Sequence, residues 1–159
     1  MKPGPVLPSV PVLGQFFRSL LGRDVAVSAA KPDAAPLPII AVYTNPDNTL
    51  GALWALDYAL ANHAGAALSM VPAPVAAKFA AARTLPDTIA ENLAEVANVG
   101  ASLLNAPGGA HLRFRAVLLT MAALPPSVTA MLRSPLRRTE ATVMIAGYGG
   151  GRLQVMVTP

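Results

Sequence analysis

Apolar residues change their spacing several times along the chain, and each change marks an element. After a proline-rich lead-in, Met1 to Pro8, Ser9 stands where a helix cap is wanted. Leu13, Phe16, Phe17, Leu20 and Leu21 then recur at helical spacing before Gly22. A serine hydroxyl accepts a free amide of the first turn, and glycine takes the left-handed conformation that stops a helix. The pattern therefore predicts a helix over Pro11–Leu21, preceded by a loose segment over residues 1–8. A short strand is expected at Asp24–Ser28, and then an extended connector over Ala29–Pro38, punctuated by Pro32, Pro36 and Pro38. Ile39–Thr44 and Thr49–Leu56 carry β-branched and aromatic residues on either side of Asn45-Pro46-Asp47-Asn48, a turn sequence, so together they predict a hairpin.

The spacing then turns helical. Asp57 is placed to cap a helix in which Leu60, Ala64, Ala67, Leu68 and Val71 share a face until Pro72 and Pro74 end it. A short helical piece is expected over Val75–Arg83, and Pro86-Asp87 opens the longest helix, running to about Leu104. From His111 to Leu119 the period becomes two, with Leu112, Phe114, Ala116 and Leu118 on one side of a half-buried strand. A helical turn at Ser127–Arg133 precedes two alternating strands, marked by Ala141, Val143 and Ile145 and by Leu153, Val155 and Val157. Gly147-Tyr148-Gly149-Gly150-Gly151 joins them as a hairpin. Strands and helices in this order predict one α+β domain over residues 9–159 with an antiparallel-rich sheet.

Composition narrows the function more than the fold. Hydrophobic residues make up 53% of the 159, much of this alanine, and the longest apolar stretch, Gly51 to Val71, is broken by Asp57, Asn62 and His63. A membrane span needs roughly 20 nearly uncharged apolar residues, so no span is expected. Prolines at positions 3, 5, 8 and 11 interrupt any signal-peptide core, and a cytoplasmic location follows. With no cysteine, thiolate nucleophiles, disulfides and thiolate metal sites are closed. His63 and His111 lie far apart without an acidic neighbour at ligand spacing, so no metal site is expected. The net charge of +4 suits an acidic partner. Arg113, Arg115, Arg133, Arg137 and Arg138 invite a nucleic-acid reading, but aromatic residues are only 5% of the chain and no nucleic-acid motif accompanies them. The glycine run lacks the Lys-Ser/Thr and following helix of a phosphate loop, and no Gly-x-Ser-x-Gly elbow is present. Trp54 reads as a core residue.

One feature carries chemistry. At about 100° per residue, Ile89, Leu93, Val96, Gly100 and Leu103 fall on the core side of the long helix. Glu91, Glu95, Asn98 and Ser102, at i, i+4, i+7 and i+11, form a ridge of roughly 60° on the opposite side. A solvated face is the plain reading of such a stripe. Against it, the two glutamates repel with no lysine or arginine in the helix to compensate, and asparagine is a poor mid-helix residue in a chain rich in alanine.

The segment Glu91-Asn92-Leu93-Ala94-Glu95-Val96-Ala97-Asn98 resembles the signature helix of the CheX/CheC chemotaxis phosphatases, which has a Ser or Asp, three residues, a Glu, two residues and an Asn. Glu95 and Asn98 match the core pair. The order of elements from Tyr43 to Val157 is also similar: a strand, a first helix, the signature helix antiparallel to it, and strands ending in a Gly-rich hairpin. The resemblance implies a CheC-like α+β fold, an antiparallel-rich sheet with two long antiparallel helices packed on it, in the single-signature CheX branch. Two departures stand out. Glu91 occupies the Ser/Asp position, and the family's proline position falls near Met121, with Pro125 and Pro126 a few residues late.

The resemblance implies a phosphorylated receiver domain as partner. Glu95 would dock on a receiver lysine, and Asn98 would orient the water that attacks the aspartyl phosphate; Glu91 and Ser102 would complete the binding surface. No cofactor is implied, since magnesium would be held by the receiver. A phosphatase is the first expectation. The alternatives are a non-catalytic binding module of the same fold, in chemotaxis or flagellar switching, and a structural domain of unknown partner; a homodimer is left open.

Overall fold

The computed structural model describes residues 3–32, 36–109, 111–119, 124–134 and 137–159. Helix α1 spans Val10–Leu21: the Ser9 hydroxyl accepts the Val12 N–H at 3.4 Å, and Gly22, in the left-handed region, donates its N–H to the Arg18 carbonyl. Strand β1 (Val25–Ala29) follows, then β2 (Ile39–Thr44) and β3 (Leu50–Leu56), which pair antiparallel as the expected hairpin. Asp57 caps α2 (Tyr58–Leu68), accepting the Leu60 N–H at 2.8 Å. Next come α3 (Ala73–Ala81), α4 (Asp87–Gly100), β4 (Arg113–Leu118), α5 (Pro126–Arg133), β5 (Arg138–Ile145) and β6 (Gly149–Val157). The six described strands form one sheet in the order β1-β5-β6-β3-β2-β4, with every neighbour antiparallel.

Strand alternation divides the core. Ile39, Ala41, Tyr43, Trp54, Val143 and Val155 face α1, α2 and α4, while Ile40, Leu53 and Met156 face α5 through Val128 and Met131. Helix α2 is buried almost all round, and small residues permit this. A Cβ on Gly65 would come within 2.6 Å of the Ile89 carbonyl oxygen, so only glycine lets α2 and α4 approach so closely. Asn92 crosses the same seam, donating to the Gly65 carbonyl at 3.0 Å and to the Ser69 hydroxyl at 2.5 Å.

Three local expectations are corrected. The long helix stops being α-helical at Gly100 and continues as a 3-10 turn over Ala101–Leu104, in which the Ala101 N–H donates to the Asn98 carbonyl. The tighter winding of that turn, about three residues per repeat, buries Leu104 and leaves Leu103 only partly covered. In β4 the period of two breaks: Val42 pairs with Ala116 but Tyr43 pairs with Phe114, so Arg115 is an extra, bulged residue. Phe114 and Val117 consequently pack toward the helices, and Leu118 packs toward α5. The lead-in from Pro3 is not loose. Val6 donates to the Leu104 carbonyl at 2.8 Å, Thr139 donates to the Pro8 carbonyl at 2.8 Å, and Pro5 and Pro8 are buried. Proline's fixed backbone suits an extended segment laid along a surface.

Candidate functional site

The ridge on α4 is held by the sheet beneath it. Ile89, Leu93, Val96, Ala97 and Gly100 are buried, and a Cβ on Gly100 would come within 2.5 Å of the Trp54 ring. Where the helix tightens, the Ala101 N–H turns to the Asn98 carbonyl, and the Tyr43 hydroxyl donates to the Ala97 carbonyl at 2.6 Å. Tyr43 is fully buried, and burial pushes its hydroxyl pKa well above the ordinary value, so it stays a neutral donor. Asn98 therefore projects from a turn braced from inside.

Glu91, Glu95, Asn98 and Ser102 are all exposed. Ser102 lies on the 3-10 turn rather than on the α-helix, and its hydroxyl donates to the Val99 carbonyl at 2.9 Å, which leaves it as an acceptor only. Among the described residues, the side chains of Glu91, Glu95 and Asn98 make no hydrogen bond or ion pair. All four sequence-identified residues are thus exposed, three of them with polar groups unengaged among the described residues.

Two neighbours of the ridge were not singled out from the sequence. Val99, 39% exposed, stands one turn from Glu95 and adds an apolar contact point. On the other flank a groove of about 310 Å³ runs between α4 and β4, lined by Asp87, Ala90, Glu91, Ala94, Val117 and Leu119. Its helix side could have been read from the i, i+3, i+4, i+7 spacing; its strand side depends on the bulge at Arg115, for which the sequence gives no signal.

The remaining candidates disperse. His63 is buried on α2 beneath the β5–β6 turn, where a Cβ on Gly149 would lie 2.9 Å from its Nε2, whereas His111 lines an exposed cleft beside Asp47 and Pro159. Among the described residues no cluster of three or more His, Asp or Glu is placed to hold a metal. The glycine run turns tightly, with Gly147 and Gly149 at positive φ, and packs on α2, since a Cβ on Gly151 would lie 2.3 Å from the Asp57 carboxylate. Arg138 pairs with the half-buried Glu140 at 3.7 Å and does not join Arg113 and Arg115, which are exposed on β4. Met121 lies outside the described residues; Pro125 and Pro126 start α5, on the sheet face opposite α4. No described helix is long and apolar enough to cross a membrane.

No family model and no curated protein matches the sequence. Solved structures do. FliY from Thermotoga maritima is 13% identical and superposes with a TM-score of 0.58 over 91% of this chain and 81% of that one. FliM in the FliM–SpeE complex from H. pylori is 10% identical, with a TM-score of 0.52 over 93% and 80%. CheX in the CheX–CheY–BeF3–Mg2+ complex from Borrelia burgdorferi is a looser match, 8% identical with a TM-score of 0.45 over 91% and 92%, and adds no weight. At these identities the likeness is one of fold alone, and the fold is the α+β, CheC-like one that the sequence resemblance implied.

Proposed function

We propose that the α4 ridge docks a phosphorylated receiver domain and that Asn98 supplies an amide which orders the water attacking its aspartyl phosphate. The observation that carries this reading is the exposure of Glu95 and Asn98, one turn apart, with no polar partner among the described residues. An acyl phosphate hydrolyses once a water is held in line. The enzyme's contribution is position and a hydrogen bond, and a neutral amide provides both without repelling the phosphate. Glu95 offers a carboxylate to a cation on the receiver, and Glu91, Val99 and Ser102 widen the contact. Any magnesium belongs to the receiver. On this reading the chain works in the cytoplasm, alongside its partner.

The test is decay of aspartyl phosphate on receiver domains from the same organism. Asn98→Ala should lower the accelerated rate by about a hundredfold while binding is nearly kept, and Glu95→Ala should chiefly weaken binding. Equal, small effects of both substitutions on a real activity would overturn the assignment of roles. A second reading, a non-catalytic docking module in chemotaxis or flagellar switching, is favoured by Glu91, whose side chain is longer than the Ser or Asp of the signature. Binding of a phosphorylated receiver without faster decay would establish that reading instead.

A further inference from the structure

Helix α2 ends on a residue that its backbone does not favour. After Leu68 the Met70 N–H donates to the Ala67 carbonyl at 3.4 Å and the Val71 N–H to the Ala66 carbonyl at 2.9 Å. This pair of bonds closes a helix when the residue beyond its cap turns left-handed. That residue is Met70, at φ 60°. Glycine takes the conformation without strain and is the usual occupant, as Gly22 is after α1. Met70 bears the strain yet buries little within the fold: at 77% exposed, it is the most open large hydrophobic side chain among the described residues. Strain kept under an exposed apolar side chain points to a contact outside the chain.

The turn is also held in place. Asn92 of α4 donates to the Ser69 hydroxyl and to the Gly65 carbonyl, and the Tyr148 hydroxyl donates to the Val71 carbonyl at 2.7 Å. Met70 therefore stands between two anchored neighbours. Asn92 lies three residues before Glu95, a spacing that sets Cβ atoms about 5–6 Å apart on a helix. Val99, one turn beyond Glu95, falls within the same arc of about 60°. The bonds through Asn92 thus put one exposed apolar side chain before Glu95, as Val99 puts another after it.

We propose that Met70 is an apolar anchor of the docking surface on α4. A receiver domain seated on the ridge covers Met70 at one end and Val99 at the other, with its cation on Glu95 between them; the inference rests on the ridge being a receiver's docking surface. An anionic membrane is the poorer occupant. From Tyr58 to Pro86 the only lysine and arginine are Lys78 and Arg83, and Glu91 and Glu95 beside the turn would be repelled by the same headgroups.

Met70→Gly tests this, because it relieves the strained turn while removing the side chain, so stability and binding should move in opposite directions. The urea midpoint should rise. Affinity for fluorescein-labelled receiver domains of the same organism, charged with beryllofluoride in place of phosphate and followed by anisotropy, should fall at least about tenfold. Decay of aspartyl phosphate at saturating chain should be unchanged, since Asn98 is kept. Met70→Leu should keep the affinity within about threefold. Arg83, at φ 55° beyond the end of α3, provides the control: Arg83→Gly should raise the midpoint and leave binding unchanged. Parental affinity in Met70→Gly, with Glu95→Ala still weakening binding, would overturn the anchor and leave the ridge reading standing. No binding of any receiver by the parent chain would overturn both. Equal losses in Met70→Gly and Arg83→Gly, or in Met70→Gly and Met70→Leu, would trace the effect to the backbone or to the fold and overturn the anchor. So would a loss in Met70→Gly of self-association, or of adsorption to phosphatidylglycerol vesicles, with receiver affinity unchanged.

Discussion

The contact between α2 and α4 sets the position of the ridge, and Gly65→Ala tests it. Two effects oppose. Alanine is favoured over glycine in a helix interior by about 1 kcal/mol, because glycine loses more backbone entropy on folding. The new methyl group, however, would sit 2.6 Å from the Ile89 carbonyl oxygen and 2.7 Å from its Cγ2. The Cγ2 belongs to a buried side chain and the oxygen to a helix backbone, so relief requires α2 and α4 to move apart, and overpacking against backbone falls in the upper part of the usual range, about 2–3 kcal/mol. The clash should win, with a net loss on the order of 1–2 kcal/mol in urea unfolding and no change in slope. Gly14→Ala in α1 is the matched control. Its nearest neighbour is the Arg18 Nη1 at 3.0 Å, the end of a long side chain that donates to the Val25 carbonyl at 3.0 Å and can give by a few tenths of an ångström, so that variant should lose less than Gly65→Ala. If Gly65→Ala matched or exceeded the parent, the close approach of α2 and α4 described above would be refuted.

Three further outcomes are expected. Leu93→Ala, at a residue 1% exposed within the main core, should cost about 2–5 kcal/mol; a loss below about half a kcal/mol in denaturant melts would mean that the core face of α4 has been assigned backwards. Tyr43→Phe should cost about 1–3 kcal/mol by removing the donor to the buried Ala97 carbonyl, and amide exchange around Asn98 should quicken if Tyr43 braces that turn. His63 is held below its ordinary pKa chiefly by burial, with Asp57 opposing the shift. The unfolded chain therefore binds that proton more readily than the folded one. Stability from this group is complete above pH about 6.5 and declines as pH falls below it, and unfolding free energies between pH 7 and 5 that stay flat, or that fall equally in His63→Gln, would contradict this.

Where periodicity was long and unambiguous, the sequence could be read directly. Ser9, Gly22 and Asp57 cap the helices as their side chains and backbone freedom require, and Ile89, Leu93 and Val96 lie buried because only one face of a helix can hold all three. The errors fall where local pattern is degenerate. Ala116, Val117, Leu118 and Leu119 are all apolar, so alternation cannot say which of them faces α4, and the bulge at Arg115 decides it through pairing with β2. Leu103 and Leu104 are adjacent leucines, and the choice between them depends on a change of helix type that arises where Gly100 meets Trp54, a long-range contact. Pro3 to Pro8 lacks periodicity, which reads as looseness, yet an extended segment needs only one row of partners, and Leu104 and Thr139 provide it.

The ridge shows why exposure alone would not have identified a site. Repulsion between Glu91 and Glu95 is worth only a few tenths of a kcal/mol, too little to mark them as costly. Asparagine at position 98 costs a similar amount relative to alanine. What distinguishes this face is that the same stretch of helix is heavily supported on its inner side, by Trp54 packed on Gly100 and by Tyr43 bonded to Ala97, while its outer polar groups engage nothing among the described residues. On the function proposed above, such a brace would hold the amide at a fixed distance from a partner's phosphate, since a displacement of about 1 Å in a positioned-water mechanism costs on the order of a hundredfold in rate.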